Sequence, residues 1–281
     1  MTDVALENPT CRDRDYADNA ARYLVDLHEK KAVFDFCGGM MFQLVLTDAL
    51  VEKLKGPDAP KVVIHDAATR RMAQLLAVHA PGIYERYGTT MDDAAGEAFD
   101  KSAKIMGLGY PGGPAIERIA ANGNAGLVQL PCPLRGADHC HFSFSGLKTA
   151  VATRFAAIEA GNGEVGIADL AAALQAAIAD CLADRARRAM ARFAHAHGPA
   201  TLVIAGGVAA NEAIFKRLET EAGKAGFALS VPPAWLCTDN AAMIAWAALE
   251  RYHQDASDSD DFDFAPRPRW PLDGKAPPPP G

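Results

Sequence analysis

The chain has 281 residues, enough to bury a full core as one large domain or two small ones. Its 49 % hydrophobic and 22 % charged content is ordinary for a globular protein, and no run of the sequence reaches the apolar length that spans a bilayer. A net charge of −7 excludes bulk attraction to nucleic acid, so any such role needs a local basic patch or a basic partner. The best local patch is Arg185, Arg187, Arg188 and Arg192, whose spacing puts them mostly on one side of a helix, read as a solvated face. The six cysteines, Cys11, Cys37, Cys132, Cys140, Cys181 and Cys237, contain no C-x-x-C pair. With acidic Asp3 and Glu7 at the start and no secretory pattern, the expectation is free thiols in a reducing cytoplasm.

In chain order, a helix is predicted from about Asp15 to Lys30. Short strands follow at Ala32–Phe36 and Lys61–His65, and then a helix from Ala67 to His79 that ends before Pro81-Gly82. Thr90 is placed as the cap of a helix running to about Met106, with Asp92 and Asp93 in its first turn and Gly107 at its end. Pro114 suits the first turn of the next helix, to about Asn122. Leu127–Leu130 and Phe142–Phe144 read as strand-like. A helix begins near Ser145, whose hydroxyl can cap it, and a long alanine-rich helix fills about Ile167 to His195. Thr201–Ala205 is a buried strand that ends in Gly206-Gly207. A helix to about Gly223, a strand at Ala228–Val231 and a helix from Asp239 to about Tyr252 complete the pattern. Alternating strands and helices imply an α/β layer structure with a ligand site at strand C-terminal ends. The acidic, serine-containing stretch from Asp255 to Asp263 and the Ala276–Gly281 tail are low in structure-forming residues, and the tail is expected to be disordered.

Several constellations could carry chemistry. A buried strand followed by Gly206-Gly207 and a helix start lets backbone approach a ligand and aims free N–H groups at it. Asn211 adds an amide that both donates and accepts. The alternative is a tight strand-to-helix turn. At Thr238-Asp239-Asn240, Thr238 can cap a helix with Asp239 complementing its dipole, or Asp239 can be a hard oxygen ligand for a metal. His139-Cys140-His141 has soft metal ligands, but residues two apart point to opposite sides of an extended chain, which favours a surface loop.

Four long segments occur in a fixed order. They are Thr89–Lys101 running on to Gly107–Glu117, His141-Phe-Ser-Phe-Ser-Gly-Leu-Lys-Thr-Ala-Val151, Leu202–Asn211, and Leu236–Ala245. Together they resemble the TsaD family, enzymes that transfer a threonylcarbamoyl group to N6 of an adenosine in tRNA. The Arg267-Pro-Arg-Trp-Pro-Leu272 ending is similar to bacterial members. The resemblance covers residues from about 89 to 281. It implies an α/β actin-like ATPase (ASKHA, ribonuclease H-like) architecture of two lobes, with the C-terminal portion largely present. The expected division is an unassigned, fused or truncated α/β segment at 1–88, a TsaD-like domain at 89–275 and a tail at 276–281.

The resemblance further implies roles for single residues. Asp100, Gly113, Glu117 and Asn211 fall where the family contacts its substrate, and Asp239 matches a metal ligand. The implied cofactor is one divalent metal, iron or zinc. The implied substrates are tRNA and threonylcarbamoyl-AMP. The implied partners are a TsaB-like homologue and a TsaE-like small ATPase, with no membrane. The family draws two further metal ligands from an H-x-x-x-H helix, which puts both imidazoles on one face. Here His28, His65, His79, His139, His141, His195, His197 and His253 include no two that are four apart. The family's I-E-T-S-C-D-E-T strand is not intact, and Cys37–Leu46 echoes its S-G-G-H-T-Q-L segment with Met40 where histidine would stand. Two other readings therefore stay open: a non-catalytic nucleotide-binding remnant or scaffold of the same family, and, ranked last for want of a D-x-G-x-T phosphate loop, a sugar-kinase-like ATPase.

Overall fold

A computed structural model describes residues 61–67, 72–80, 83–161, 164–232, 273 and 275. The helices expected at 15–30 and 239–252 and the strand at 32–36 lie outside these residues.

Five strands form one sheet in the order β3-β2-β1-β4-β5. They are β1 (Lys61–Ala67), β2 (Met72–Ala80), β3 (Ile83–Thr89), β4 (Thr201–Gly206) and β5 (Ala228–Ser230). The first three are antiparallel neighbours, while β4 runs parallel to both β1 and β5. The pairing of β1 with β4 runs from Lys61↔Thr201 to Asp66↔Gly206, so the C-terminal end of β1 and the Gly206-Gly207 turn lie at the same end of the sheet. Strands from both sides of residue 88 thus share one sheet.

The helix expected at Ala67–His79 is strand β2. Met72-Ala-Gln-Leu-Leu-Ala-Val-His-Ala80 is rich in good helix formers, but it pairs on both sides, with β1 and β3. Those two ladders satisfy its backbone and override a weak local preference. Its alternate residues also have two faces to fill: Leu75 and Ala77 join the main core, whereas Leu76 packs with Val203, Ala205 and Val78 on the other face. β3 was not read from the sequence at all.

Among the described residues there are five α-helices: α1 (Ala95–Ile105), α2 (Gly112–Ala120), α3 (Ser145–Glu159), α4 (Ile167–His197) and α5 (Glu212–Lys224). The main core joins Leu202 and Ile204 of β4 to Phe99 and Ile116 of the first two helices and to Leu174, Ile178, Leu182 and Phe193 along α4, all nearly inaccessible. No described helix is long and apolar enough to cross a membrane. α1 starts at Ala95 rather than near Thr90, whose hydroxyl donates to the Asp93 carbonyl at 2.6 Å in the turn before it. Asp92 and Asp93 therefore precede the helix. Its end matches expectation: Gly107 has φ +68, its N–H reaches the Lys104 carbonyl and that of Leu108 reaches Ala103, a Schellman closure. Leu127–Leu130 is not a strand; a single 3-10 turn at Ala125–Leu127 takes its place, closed by the Asn124 side chain accepting from Gly126 N at 2.9 Å. Phe142 makes only an isolated bridge with Thr90. The arginine face is also not a uniformly solvated one. Arg185 is 2 % exposed, and its Nη1 donates to the Ala137 and His139 carbonyls at 3.1 and 2.5 Å while its guanidinium pairs with Asp184.

Candidate nucleotide site at the α2–α5 junction

Three helices in this fold begin against a carboxylate that comes from another element. At α3 the cap is not Ser145, as expected, but Asp92. Its Oδ1 accepts from Phe144 N at 2.7 Å and Ser145 N at 3.2 Å, and its Oδ2 accepts from the hydroxyls of Ser143 at 2.5 Å and Ser145 at 2.7 Å. Partial burial alone would raise the Asp92 pKa, but hydrogen bonds from Ser143, Phe144 N and Ser145 more than offset it and hold the carboxyl below its ordinary value. Phe142 N donates to Thr89 O at 3.0 Å and Met91 N to Phe142 O at 2.8 Å, so two of the motif segments are zipped together here.

The other two carboxylates are Asp100 and Glu117. Asp100 Oδ1 accepts from Gly112 N, the first residue of α2, at 2.7 Å. One and a half turns along α2, Glu117 Oε1 accepts from Glu212 N, the first residue of α5, at 2.8 Å. Asn211 is the N-cap of α5: its Oδ1 accepts from Ile214 N at 3.0 Å and its Nδ2 donates to Gln175 Oε1 of α4 at 2.8 Å. Asp100, Gly113, Glu117 and Asn211 are therefore strung along one junction from the middle of α1, along α2, to the start of α5. Beside it lies the Gly206–Ala210 turn that follows β4 and packs against α1. Two helix N-termini, with their partial positive charge and outward N–H groups, begin at this junction.

Two glycine pairs frame it, and within each pair the two residues answer to different constraints. A Cβ on Gly112 would lie 2.5 Å from Asp100 Cα and 2.8 Å from Phe99 O, so this glycine is demanded by the packing of α2 on α1. A Cβ on Gly113 would meet nothing within 4 Å among the described residues. Gly206 has φ +89, a conformation that L side chains rarely adopt. Gly207 has no such restriction and, among the described residues, no neighbour within 4 Å of an added Cβ. Packing and dihedrals account for the first glycine of each pair and leave the second unexplained.

Asp239, with the Thr238–Asn240 segment around it, lies outside the described residues. Among the described residues, no three His, Cys, Asp or Glu side chains come together in a way that could hold a metal. His139 and His141 do face each other, with ring centroids 5.1 Å apart, but His141 N donates to His139 Nδ1 and Thr89 N donates to His141 Nδ1, so this pair is engaged in loop structure. A cleft of about 730 Å³ opens elsewhere, between β3, residues 138–141 and α4. Arg187, Arg188 and Arg192 line it, and each is paired with an acid: Asp184, Asp138 and Glu85. None of the residues predicted to bind substrate reaches this cleft.

The sheet of three antiparallel strands continued by two parallel ones, with helices packed on it, makes this an α/β protein of the actin-like ATPase class. The model of the family described as TsaD, tRNA N6-adenosine threonylcarbamoyltransferase, matches residues 43–246. The chain belongs to that family. The match begins upstream of Thr89, so the family likeness reaches into the segment that the motifs left unassigned. A tRNA N6-adenosine threonylcarbamoyltransferase of Sphingopyxis alaskensis is 54 % identical over 203 residues, covering 72 % of this chain and 56 % of that protein. The protein of the same description from Rhodospirillum rubrum is 51 % identical over 229 residues, covering 81 % of this chain and 62 % of its own length. The chain thus spans a little over half the length of the curated relatives it matches. Among solved structures, an activator of 2-hydroxyisocaproyl-CoA dehydratase from Clostridium difficile with bound ADPNP matches 76 % of this chain and 68 % of its own, at 16 % identity and a TM-score of 0.40, too low to carry an argument.

Proposed function

We propose that this chain takes part in threonylcarbamoyl transfer to tRNA and that the α2–α5 junction holds the adenylate of the donor, threonylcarbamoyl-AMP. The observation that carries this reading is the pair of glycines, Gly113 and Gly207, that the packing of the described residues does not require. Gly113 is one of four residues that match the family's substrate contacts, Gly207 opens the turn that leads into Asn211, another of them, and backbone with no side chain leaves room for a flat or anionic group. Asp100 and Glu117 each use one oxygen on a helix N–H among the described residues, which leaves the other able to accept from ribose hydroxyls. The N-terminus of α5 supplies positive potential for a phosphate. In the reaction, the N6 amine of the tRNA adenosine attacks the carbamoyl carbonyl, the bond to the adenylate breaks, the amine loses a proton and AMP leaves. The described residues bind and orient the donor in that scheme.

A divalent metal, iron or zinc, belongs to this proposal only through Asp239, and no step is routed through it. Cytoplasmic location and partnership with a TsaB-like homologue and a TsaE-like ATPase belong to the same proposal, supported by family membership. A second reading, a nucleotide-binding relative without transferase activity, is favoured by one observation: no two of the eight histidines stand four apart. One assay separates the two. The chain is supplied with donor, tRNA and the partner proteins, and modified adenosine is measured by mass spectrometry. Turnover supports the transferase; AMP binding without turnover supports the second reading; neither binding nor turnover overturns both.

A further inference from the structure

Away from that junction, two thiols 49 positions apart in sequence meet at the base of the loop preceding α3. Cys132 Sγ and Cys181 Sγ are 3.0 Å apart, with Cys181 donating. Both are free thiols; Cys181 is buried on α4 and Cys132 is half-buried at the loop surface. The loop is fastened to the same stretch of α4 on either side of the pair. Arg135 binds Asp180 at 2.7 Å, Arg188 Nη2 donates to Gly136 O at 2.7 Å, and Arg185 holds the Ala137 and His139 carbonyls. The two sulfurs are therefore kept together by the surrounding fold, and a contraction of about 1 Å brings them to the ~2.05 Å length of a disulfide.

We propose that Cys132 and Cys181 are a reversible oxidation site, at which a hydroperoxide converts the two thiols to a disulfide that ties the 132–139 loop to α4. The roles divide by exposure. The Cys132 thiolate attacks a peroxide oxygen and the O–O bond breaks. The departing oxygen takes up a proton and leaves as water or an alcohol, and Cys132 becomes a sulfenic acid. Cys181 then loses its proton and attacks the Cys132 sulfur, the S–O bond breaks, and water leaves. Two electrons pass from the thiol pair to the peroxide, and a dithiol reductant reverses the step. The surroundings suit this order. The hydrogen bond from Cys181, opposed by burial and aided by the charge of Arg135, holds the Cys132 thiol down to about 7, whereas the Cys181 thiol is pushed up by the same contact and by burial. Cys140 provides a control within the same chain, being buried, with burial raising its pKa.

The full chain is treated with one equivalent of hydrogen peroxide, digested without reductant and mapped by mass spectrometry. The expected product is a crosslinked peptide pair containing Cys132 and Cys181, lighter by two hydrogens and restored by dithiothreitol, with Cys140 still reduced. Its rate of formation rises as pH passes through about 7. Cys132→Ala abolishes the crosslink and leaves Cys181 a thiol. Cys181→Ala traps Cys132 as a sulfenic acid that dimedone labels, and the pH profile of the parent stands as evidence where that buried substitution unfolds the chain. Retention of both thiols in the parent under conditions that oxidise Cys140, or oxidation of Cys181 at the parental rate in Cys132→Ala, overturns the proposal.

Discussion

Asp92 and Glu117 each close the N-terminus of a helix they do not belong to, but the two closures leave different amounts of unused chemistry. Asp92 accepts four hydrogen bonds, two at each oxygen, all from Ser143, Phe144 and Ser145. Both oxygens of this carboxylate are taken up by donors of the helix start itself. Glu117, like Asp100, makes one bond among the described residues, and beside these two lie glycines with open space where a side chain would stand. The same device therefore builds structure at α3 and leaves a receptive edge at α2 and α5. A carboxylate in a motif is not evidence of ligand binding until its own partners have been counted.

The largest consequence of this comparison is for Asp92. Replacing it with alanine strands two hydroxyls and two backbone N–H groups that it had satisfied, at a cost of about 3 kcal/mol or more. Urea unfolding of Asp92→Ala should show a lowered midpoint of that size; a loss near that of an ordinary surface substitution would place α3 on other supports. Asp92 also makes stability depend on acid. Its folded pKa lies below the ordinary carboxylate value of 3.8, so the stabilisation is present above that value and is lost as pH falls through the folded one. In Asp92→Asn the fall in stability below about pH 4 should be shallower than in the parent, which parallel unfolding curves across pH can read.

Asn211 gives a smaller effect. Its amide already caps α5 and reaches Gln175, so Asn211→Ala should cost about 1 kcal/mol of stability before any ligand is considered. Thermal unfolding checks this, and an unchanged melting temperature would mean that the cap is replaced by water. A drop in nucleotide affinity in this variant is ambiguous for the same reason, and the glycines are the sharper probe.

Much of this arrangement was legible in the chain. The alternation of buried strand, double glycine and amphipathic helix fixed β4, its turn and α5 to within a residue or two, because those elements follow local rules of burial and breaking. Gly107 marked the end of α1 for the same reason. β2 was not legible, since its helix-forming residues are strand only through partners on both sides. The N-caps at Thr90 and Ser145 were misassigned because a nearby hydroxyl is the obvious local acceptor; α1 starts after Ala94 with no side-chain cap, and the carboxylate that closes α3, Asp92, lies more than fifty residues from Ser145. The candidate site residues come from motifs, but their hydrogen-bond partners in α2, α4 and α5 have no local signal, and the meeting of Cys132 with Cys181 has no signature in spacing at all.

The central claim, that the α2–α5 junction is a ligand site, is tested most directly at the second glycine of each pair. Gly113→Leu and Gly207→Leu add a side chain where the fold has room, so each should keep its melting temperature and unfold within about 0.5 kcal/mol of the parent. By calorimetry the parent should bind AMP, and both variants should lose at least about tenfold in affinity, roughly 1.4 kcal/mol. Equal AMP affinity in the parent and both leucine variants, or a parent that does not bind AMP, would contradict the account.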